Sequence, residues 1–345
     1  MELSNYINKG YTGLNNLGNT CFLNSSIQVL SNTHELNKIL DEKIKNNKVK
    51  NIIDSELLKE YNELRVLMWK TNGVISPKKF LLNVHKIAET KERDIFTGYD
   101  QNDMPEFLLF LIDTMHNSLA RSTDVSITGK VETDIDNIAM KCYELIKNTY
   151  KREYSEIMDL FYGIYITEII SKNGKKIHNA IPEQFMMLDL PIPDNKETSI
   201  YDCLDDYVNY ETLEGDNSWY NDKTKKKEDV KKRMIFWSFP KILIIVLKRF
   251  SDDGRHKKLN NVKYPLNNLN LSKYVKGYNA SKYVYDLYGV CNHVGNLNAG
   301  HYTTFIKTLK NDWIHFNDDN ISKIRESNII TPMSYCLFYR KKNNL

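Results

Sequence analysis

Cysteine is scarce in this 345-residue chain. Five residues, Cys21, Cys142, Cys203, Cys291 and Cys336, stand at wide spacings with no Cys-x-x-Cys pair among them. An odd and scattered set excludes a disulfide framework and points to a reducing, intracellular compartment. Long apolar runs are also missing, and none approaches the roughly 18 residues needed to span a bilayer. The opening Met-Glu-Leu-Ser-Asn-Tyr lacks a basic region followed by an apolar run, so no signal peptide is expected. Neither sign of charge dominates: 48 Lys and Arg against 44 Asp and Glu leave a net charge of +4, which does not argue for a nucleic-acid binder. What remains is 41% hydrophobic and 27% charged, the balance of a soluble globular protein with enough apolar residues for a sizeable core. The length suits one large domain or two ordinary ones.

The most informative stretch is Gly13 to Leu30, where a Gly/Asn-rich loop runs into Cys21. Leu23, Ile27 and Leu30 follow at i, i+4 and i+7, one face of a helix. Asn19 or Thr20 is placed to cap that helix, which puts Cys21 in its first turn. There the unpaired backbone N–H groups and the helix dipole favour a thiolate, one recipe for an activated nucleophile. The competing reading is a small buried residue at a helix start. A packing cysteine, however, has no need of the spare amide donors in the loop before it.

A mostly helical pattern continues to about Leu119. Within Gly98 to His116, the residues Phe107, Leu108, Leu111, Ile112 and Met115 form a wide apolar stripe. Asp103 and Glu106 are spaced as N-cap and N3, with Pro105 tolerated in the first turn, and two such acids can cap a helix without any ligand. Residues 120 to 158 read as a polar connection with one helical piece around Ile138 to Tyr150. Leu160 to Thr167 reads as a strand, and Ser171-Lys172-Asn173-Gly174 as a hairpin turn. The basic run from Lys223 to Arg233 is interrupted by Glu228 and Asp229. It reads as a solvated face, with nuclear localisation or an anionic surface as the alternative.

Six consecutive aliphatic residues, Ile242 to Leu247, read as a strand buried on both faces. Lys248 and Arg249 mark its emergence into a loop, Ser251 to Lys258. Tyr283 to Val290 is strand-like, and Cys291 to Gly300 reads as a polar loop. His301 to Ile306 and Trp313 to Phe316 then pair as a hairpin, bringing His301 and Asn317 together across it. A thiolate nucleophile needs a base within hydrogen-bond reach, and that base needs a third group to orient it. His301 and Asn317 fit those roles, while His293 and His315 compete for the first on chemistry alone. Ser334 to Arg340 is an aromatic-rich final strand.

These blocks, in this order, resemble the ubiquitin-specific proteases, the papain-like deubiquitinases. Gly13 to Ser25 is similar to that family's cysteine box, Gly-Leu-x-Asn-x-Gly-Asn-Thr-Cys-Tyr/Phe-Met/Leu-Asn-Ser. Gln101, Asp103 and Glu106 with Phe107 and Leu108 resemble its Gln-Gln-Asp-Ala-x-Glu-Phe-Leu box, from which Asn102, Met104 and Pro105 depart. Pro240 to Phe250 resembles Pro-x-Ile-Leu-x-Ile-x-Leu-Lys-Arg-Phe. Gly300-His301-Tyr302 with Trp313-x-x-Phe316-Asn317-Asp318 resembles the histidine box, and the last strand resembles Ala-Tyr-x-Leu-Phe-Tyr.

The resemblance implies an α+β, papain-like fold forming one catalytic domain over residues 1–345. A helical thumb would occupy about 13–158, β-fingers would be inserted at about 160–238, and a β-rich palm would occupy about 239–340. It implies Cys21 as nucleophile, Asn16 as oxyanion donor, His301 as general base, Asn317 as its orienting residue and Asp318 as an assisting polar group. On the substrate side it implies Gln101, Asp103 and Glu106 near an arginine-containing ubiquitin tail, with His293 and Tyr302 along the tail channel. Many members bind a structural zinc through two Cys-x-x-Cys pairs in the fingers. Here Ser171, Gly174, Asn221 and Thr224 stand at those places, so no metal or other cofactor is expected and the fingers should be held by strand pairing and packing alone.

The expected activity is hydrolysis of the bond after ubiquitin's C-terminal Gly-Gly, with ubiquitin and ubiquitinated proteins as partners. Neither a nucleic acid nor a membrane is expected as a partner. A protease for another ubiquitin-like modifier and a non-catalytic ubiquitin-binding scaffold are the alternatives. The expected location is intracellular, in cytoplasm or nucleus.

Overall fold

The computed structural model describes residues 6–342 apart from 71, 94, 195–196, 252–253 and 297–298. The start of the lead-in and parts of the two loops expected at 251–258 and 291–300 therefore lie outside the described residues. Five helices come first: α1 (Cys21–Ser31), α2 (His34–Lys45), α3 (Asp54–Lys70), α4 (Lys78–Thr90) and α5 (Met104–Leu119). Then follow α6 (Asp134–Glu153) and α7 (Glu156–Phe161), and a later α8 (Ile200–Tyr207). All eleven residues of α1 are buried, because the helix lies between α5 and the strand Gly300–Lys307. Its small polar residues survive there by bonding to backbone. Ser26 Oγ donates to Phe22 O at 2.8 Å and Gln28 Nε2 to Thr12 O at 2.8 Å.

The palm is a sheet whose strands run in the order 320–324, 313–317, 300–307, 284–295, 334–341, 242–248 and 187–191. Only the last pair is parallel; the others are antiparallel. Ile242 to Leu247 are all buried, as the aliphatic run requires. Alternation divides them between two cores: Ile242, Ile244 and Val246 pack with α1 and α5, while Leu243, Ile245 and Leu247 pack with α8. The fingers are a second antiparallel sheet, 177–185, 163–171, 230–238 and 211–213, and α6 covers Ile164, Ile166, Ala180, Ile235 and Trp237 on one face of it.

Four local expectations change. The first concerns the fingers, which are not a continuous insertion from 160 to 238. Met187–Pro191 leaves them to pair in parallel with Ile244–Lys248, and α8 packs beneath the palm before the chain returns at Glu211. Second, the strand expected from Leu160 begins at Gly163, because Leu160 and Phe161 belong to α7 and bury in the thumb core. Tertiary burial overrides their strand preference. Third, the strand expected to end at Val290 continues to Gly295, paired residue for residue with Gly300–Ile306.

Fourth, the fingers are not held by strand pairing and packing alone. Where the zinc pairs would stand, Asn221 Nδ2 and Thr224 Oγ1 both donate to Glu228 Oε1, at 2.9 and 2.5 Å. Lys172 pairs with Glu214 at 2.9 Å, across from the same region. Charge and hydrogen bonds thus occupy the tip. Among the described residues, no group of three or more His, Cys, Asp or Glu could hold a metal ion, and no helix is long and apolar enough to cross a membrane.

Candidate active site

Cys21 is the first residue of α1 and almost fully buried. The loop before it is wound tightly around Asn16, whose Oδ1 accepts from the N–H of Gly18 and of Thr20, each at 3.1 Å. That winding needs left-handed backbone at Gly18 (φ 102°) and Asn19 (φ 54°), residue types that tolerate it. Thr20 takes the N-cap position, but its hydroxyl accepts from Leu17 N–H at 2.8 Å instead of capping the helix. The Thr20 side chain therefore leaves the first-turn amides of α1 uncapped at the end where Cys21 stands.

His301 stands in the strand Gly300–Lys307 and Asn317 ends the neighbouring strand Trp313–Asn317, one diagonal step away in register. His301 Nε2 meets Asn317 Oδ1 at 2.7 Å. The amide oxygen can only accept, so Nε2 carries the proton and Nδ1 is left for Cys21. A hydrogen bond with Cys21 is the foremost cause that pushes the His301 imidazole up to about 9; burial opposes the rise, and Asn317 and the charges of Cys21 and Asp318 reinforce it. A protonated imidazole thus stands beside a cysteine in the first turn of a helix.

Asp318 ties the site to α1. Its Oδ2 accepts from Asn16 Nδ2 at 2.9 Å and lies 4.0 Å from His301 Nε2; its Oδ1 accepts from Asn24 Nδ2 at 2.8 Å. The backbone joins the same clasp, with Leu14 N–H donating to Asp318 O at 2.9 Å. Gly13 allows this approach, since a Cβ there would come 2.6 Å from Asp319 O. Asn24 was not among the sequence candidates. Its signal was available, as a polar residue three positions after Cys21 on a helix otherwise rich in apolar and small residues.

The substrate-side candidates form a second cluster. Gln101 Oε1 accepts from Gly300 N–H at 2.6 Å, which fixes the residue before His301. Asp103 does take the N-cap position of α5, but its side chain makes no capping bond. Asp103 Oδ1 instead accepts from the hydroxyls of Tyr302 at 2.8 Å and Tyr335 at 3.2 Å, and burial raises its pKa. Glu106, one turn on, is exposed.

His293 is buried among Tyr302, Tyr335 and Phe250, within the strand and not in a loop. Its Nδ1 meets Lys257 Nζ at 2.9 Å, and burial, then the charges of Lys257 and His301, pushes it down to about 4. It is therefore neutral, and its contacts are with this cluster. His315 packs edge-on against Phe305, with ring centroids 5.0 Å apart. Of the three histidines, His301 is the one joined to Cys21 and Asn317. Sequence reasoning missed Asn24, Tyr335 and Lys257, the last of which also donates to the carbonyls of His293 at 2.7 Å and Gly295 at 3.1 Å.

The family model described as ubiquitin carboxyl-terminal hydrolase matches residues 12–339. Ubiquitin carboxyl-terminal hydrolase 2 of Homo sapiens is 32% identical over 340 residues, covering 96% of this chain and 55% of that protein. The protein of the same name in Gallus gallus is 32% identical over 348 residues, covering 97% of this chain and 95% of the relative. The chain thus spans about half the length of the mammalian relatives, such as the Bos taurus protein, of which it covers 55%. Among solved structures, the SAGA DUB module of Ubp8, Sgf11, Sus1 and Sgf73 bound to monoubiquitin contains a chain that superposes with a TM-score of 0.75. Identity to it is 22%, over 99% of this chain and 71% of that one, so the likeness speaks for a shared fold.

Proposed function

The chain belongs to the ubiquitin carboxyl-terminal hydrolase family, and from that premise we propose that it is a thiol-dependent deubiquitinase. Its substrates are ubiquitin conjugates or precursors, cleaved after ubiquitin's C-terminal Gly-Gly. The observation that carries the reading is His301, joined through one nitrogen to Asn317 at 2.7 Å and raised in basicity first of all by Cys21.

In this mechanism the Cys21 sulfur attacks the carbonyl carbon of the terminal glycine, and the carbonyl electrons move to its oxygen. As the C–N bond breaks, His301 gives its proton to the departing amine. The resulting thioester is attacked by water, whose proton returns to His301, and Cys21 leaves as thiolate. Asn317 holds the imidazole in its tautomer throughout. Asn16 has one amide hydrogen on Asp318, and its second, together with first-turn N–H groups of α1, serves the oxyanion. Each such donor is worth about 3 kcal/mol in comparable sites. Asp318 acts by holding Asn16 and Asn24. Gln101, Asp103 and Tyr302 shape the wall along which the tail would lie, with Glu106 exposed to an arginine and His293 buried behind. All five cysteines being free thiols supports an intracellular, cytoplasmic or nuclear, location.

The test is incubation with ubiquitin bearing a C-terminal electrophile, read by intact mass. One adduct is expected on the wild-type chain and none on Cys21→Ala. No adduct on the wild type would leave a binding scaffold as the better reading. A faster adduct with a probe built on a different ubiquitin-like modifier would reassign the substrate.

A further inference from the structure

The basic run noted in the sequence is not wholly a solvated face. On the fingers, the face that α6 covers near its root continues past the helix as an open cleft of about 730 Å³. Its floor is built around Glu168, a fully buried carboxylate that accepts from Arg233 Nε at 2.9 Å and from Lys276 Nζ. Arg233 also lies over the Tyr210 ring, 4.5 Å from its centroid. One carboxylate fixing two cations leaves the floor with a positive excess and both side chains held in place. Around it stand Lys141, Lys175, Lys176 and Lys223, all exposed. Asp134 is the one other acid in the lining, so six cations face two carboxylates.

We infer that this cleft docks an acidic segment of polypeptide. Glu168 occupies the Nε edge of Arg233, which leaves the two terminal nitrogens of the fork to donate together to a second carboxylate. The volume exceeds what a single phosphate or carboxylate fills, and it suits a few acidic side chains on one backbone. An excess of four cations here equals the net charge of the whole chain. Concentration in one cleft matches a short acidic segment better than a nucleic-acid backbone, whose affinity rests on many phosphate contacts. The face involved is opposite the one that packs on α8 through Phe236 and Tyr207, and the inference stands whatever the chemistry at Cys21.

The test is fluorescence anisotropy of a labelled hexaglutamate peptide with the full chain, alongside hexalysine. Saturable binding of hexaglutamate alone is expected, weakening with added salt as screening requires. The rim variant carrying Lys175→Glu, Lys176→Glu and Lys223→Glu should lose at least about tenfold in affinity, or about 1.4 kcal/mol, with unchanged thermal unfolding. These three residues are exposed, so the variant should fold; Arg233→Gln would strand Glu168 and is the second variant only if it folds. An unchanged affinity in the rim variant, or no saturation up to about 1 mM peptide, would overturn the proposal. So would displacement of the peptide by free ubiquitin, or tighter binding of a single-stranded oligonucleotide that the rim variant abolishes.

Discussion

The two ends of this molecule are held together in different ways. At the thumb–palm junction, side chains some three hundred residues apart meet directly, as Asn16 and Asn24 do on Asp318. At the tip of the fingers the partners are neighbours in sequence, as Asn221, Thr224 and Glu228 are. The first kind of contact exists only when the whole domain is folded, and it fixes the groups proposed to react to within a hydrogen bond. The second forms as soon as a hairpin closes and carries no reacting group. Substitutions should therefore damage function steeply at the junction and stability mildly at the tip.

The steepest loss should come at the reacting pair. Cys21→Ala should remove turnover, and His301→Ala should lower kcat/KM by about 10³-fold or more in hydrolysis of a fluorogenic ubiquitin amide, with the fold kept by circular dichroism. Next comes the oxyanion support. Asn16→Ala should lower kcat about 10²- to 10³-fold with KM little changed. Asp318→Ala, which acts through Asn16 and Asn24, should cost about 10²-fold by misplacement alone. Equal effects of all four variants on thermal stability would break the distinction between reacting and holding groups.

A smaller effect belongs to the substrate wall. Tyr335→Phe removes one of two hydroxyls on the Asp103 carboxylate and should raise KM about fivefold while kcat holds. At the tip the effect should be smallest. Glu228→Gln should lower the Tm by about a degree or two and leave kcat unchanged, and a strong chelator should alter neither. A loss of Tm on chelation would show that the tip depends on a metal after all.

The elements that carry Cys21, His301 and Asn317 were legible from local pattern, as a glycine-rich loop before a helix, a strand start and a hairpin end, while the roles proposed for them came from the family resemblance. The strand Ile242–Lys248 was equally plain, since six aliphatic residues in a row have few other places to go. What stayed hidden depends on distant partners. That Asp103 would turn from capping α5 to meet Tyr302 and Tyr335 is decided 199 and 232 residues further on. Met187–Pro191 joins the palm by pairing with a strand that comes more than fifty residues later, and nothing in its own five residues says so. The polar stretch to Gly295 became strand because Gly300–Ile306 pairs with it and Lys257 binds its carbonyls. Local periodicity describes an element; it does not name its neighbour.

The central claim is that His301, bonded to Cys21 and Asn317, is an imidazolium at neutral pH in the resting protein, and an NMR titration of its ring nitrogens tests it most directly. Because the hydrogen bond with Cys21 is the foremost cause of the rise, the account predicts a pKa of about 9 in the wild type, with the imidazolium present below that pH and lost above it. Cys21→Ala should bring it down toward the ordinary value of about 6.5. A wild-type value at or below 6.5, unmoved by Cys21→Ala, would contradict the account.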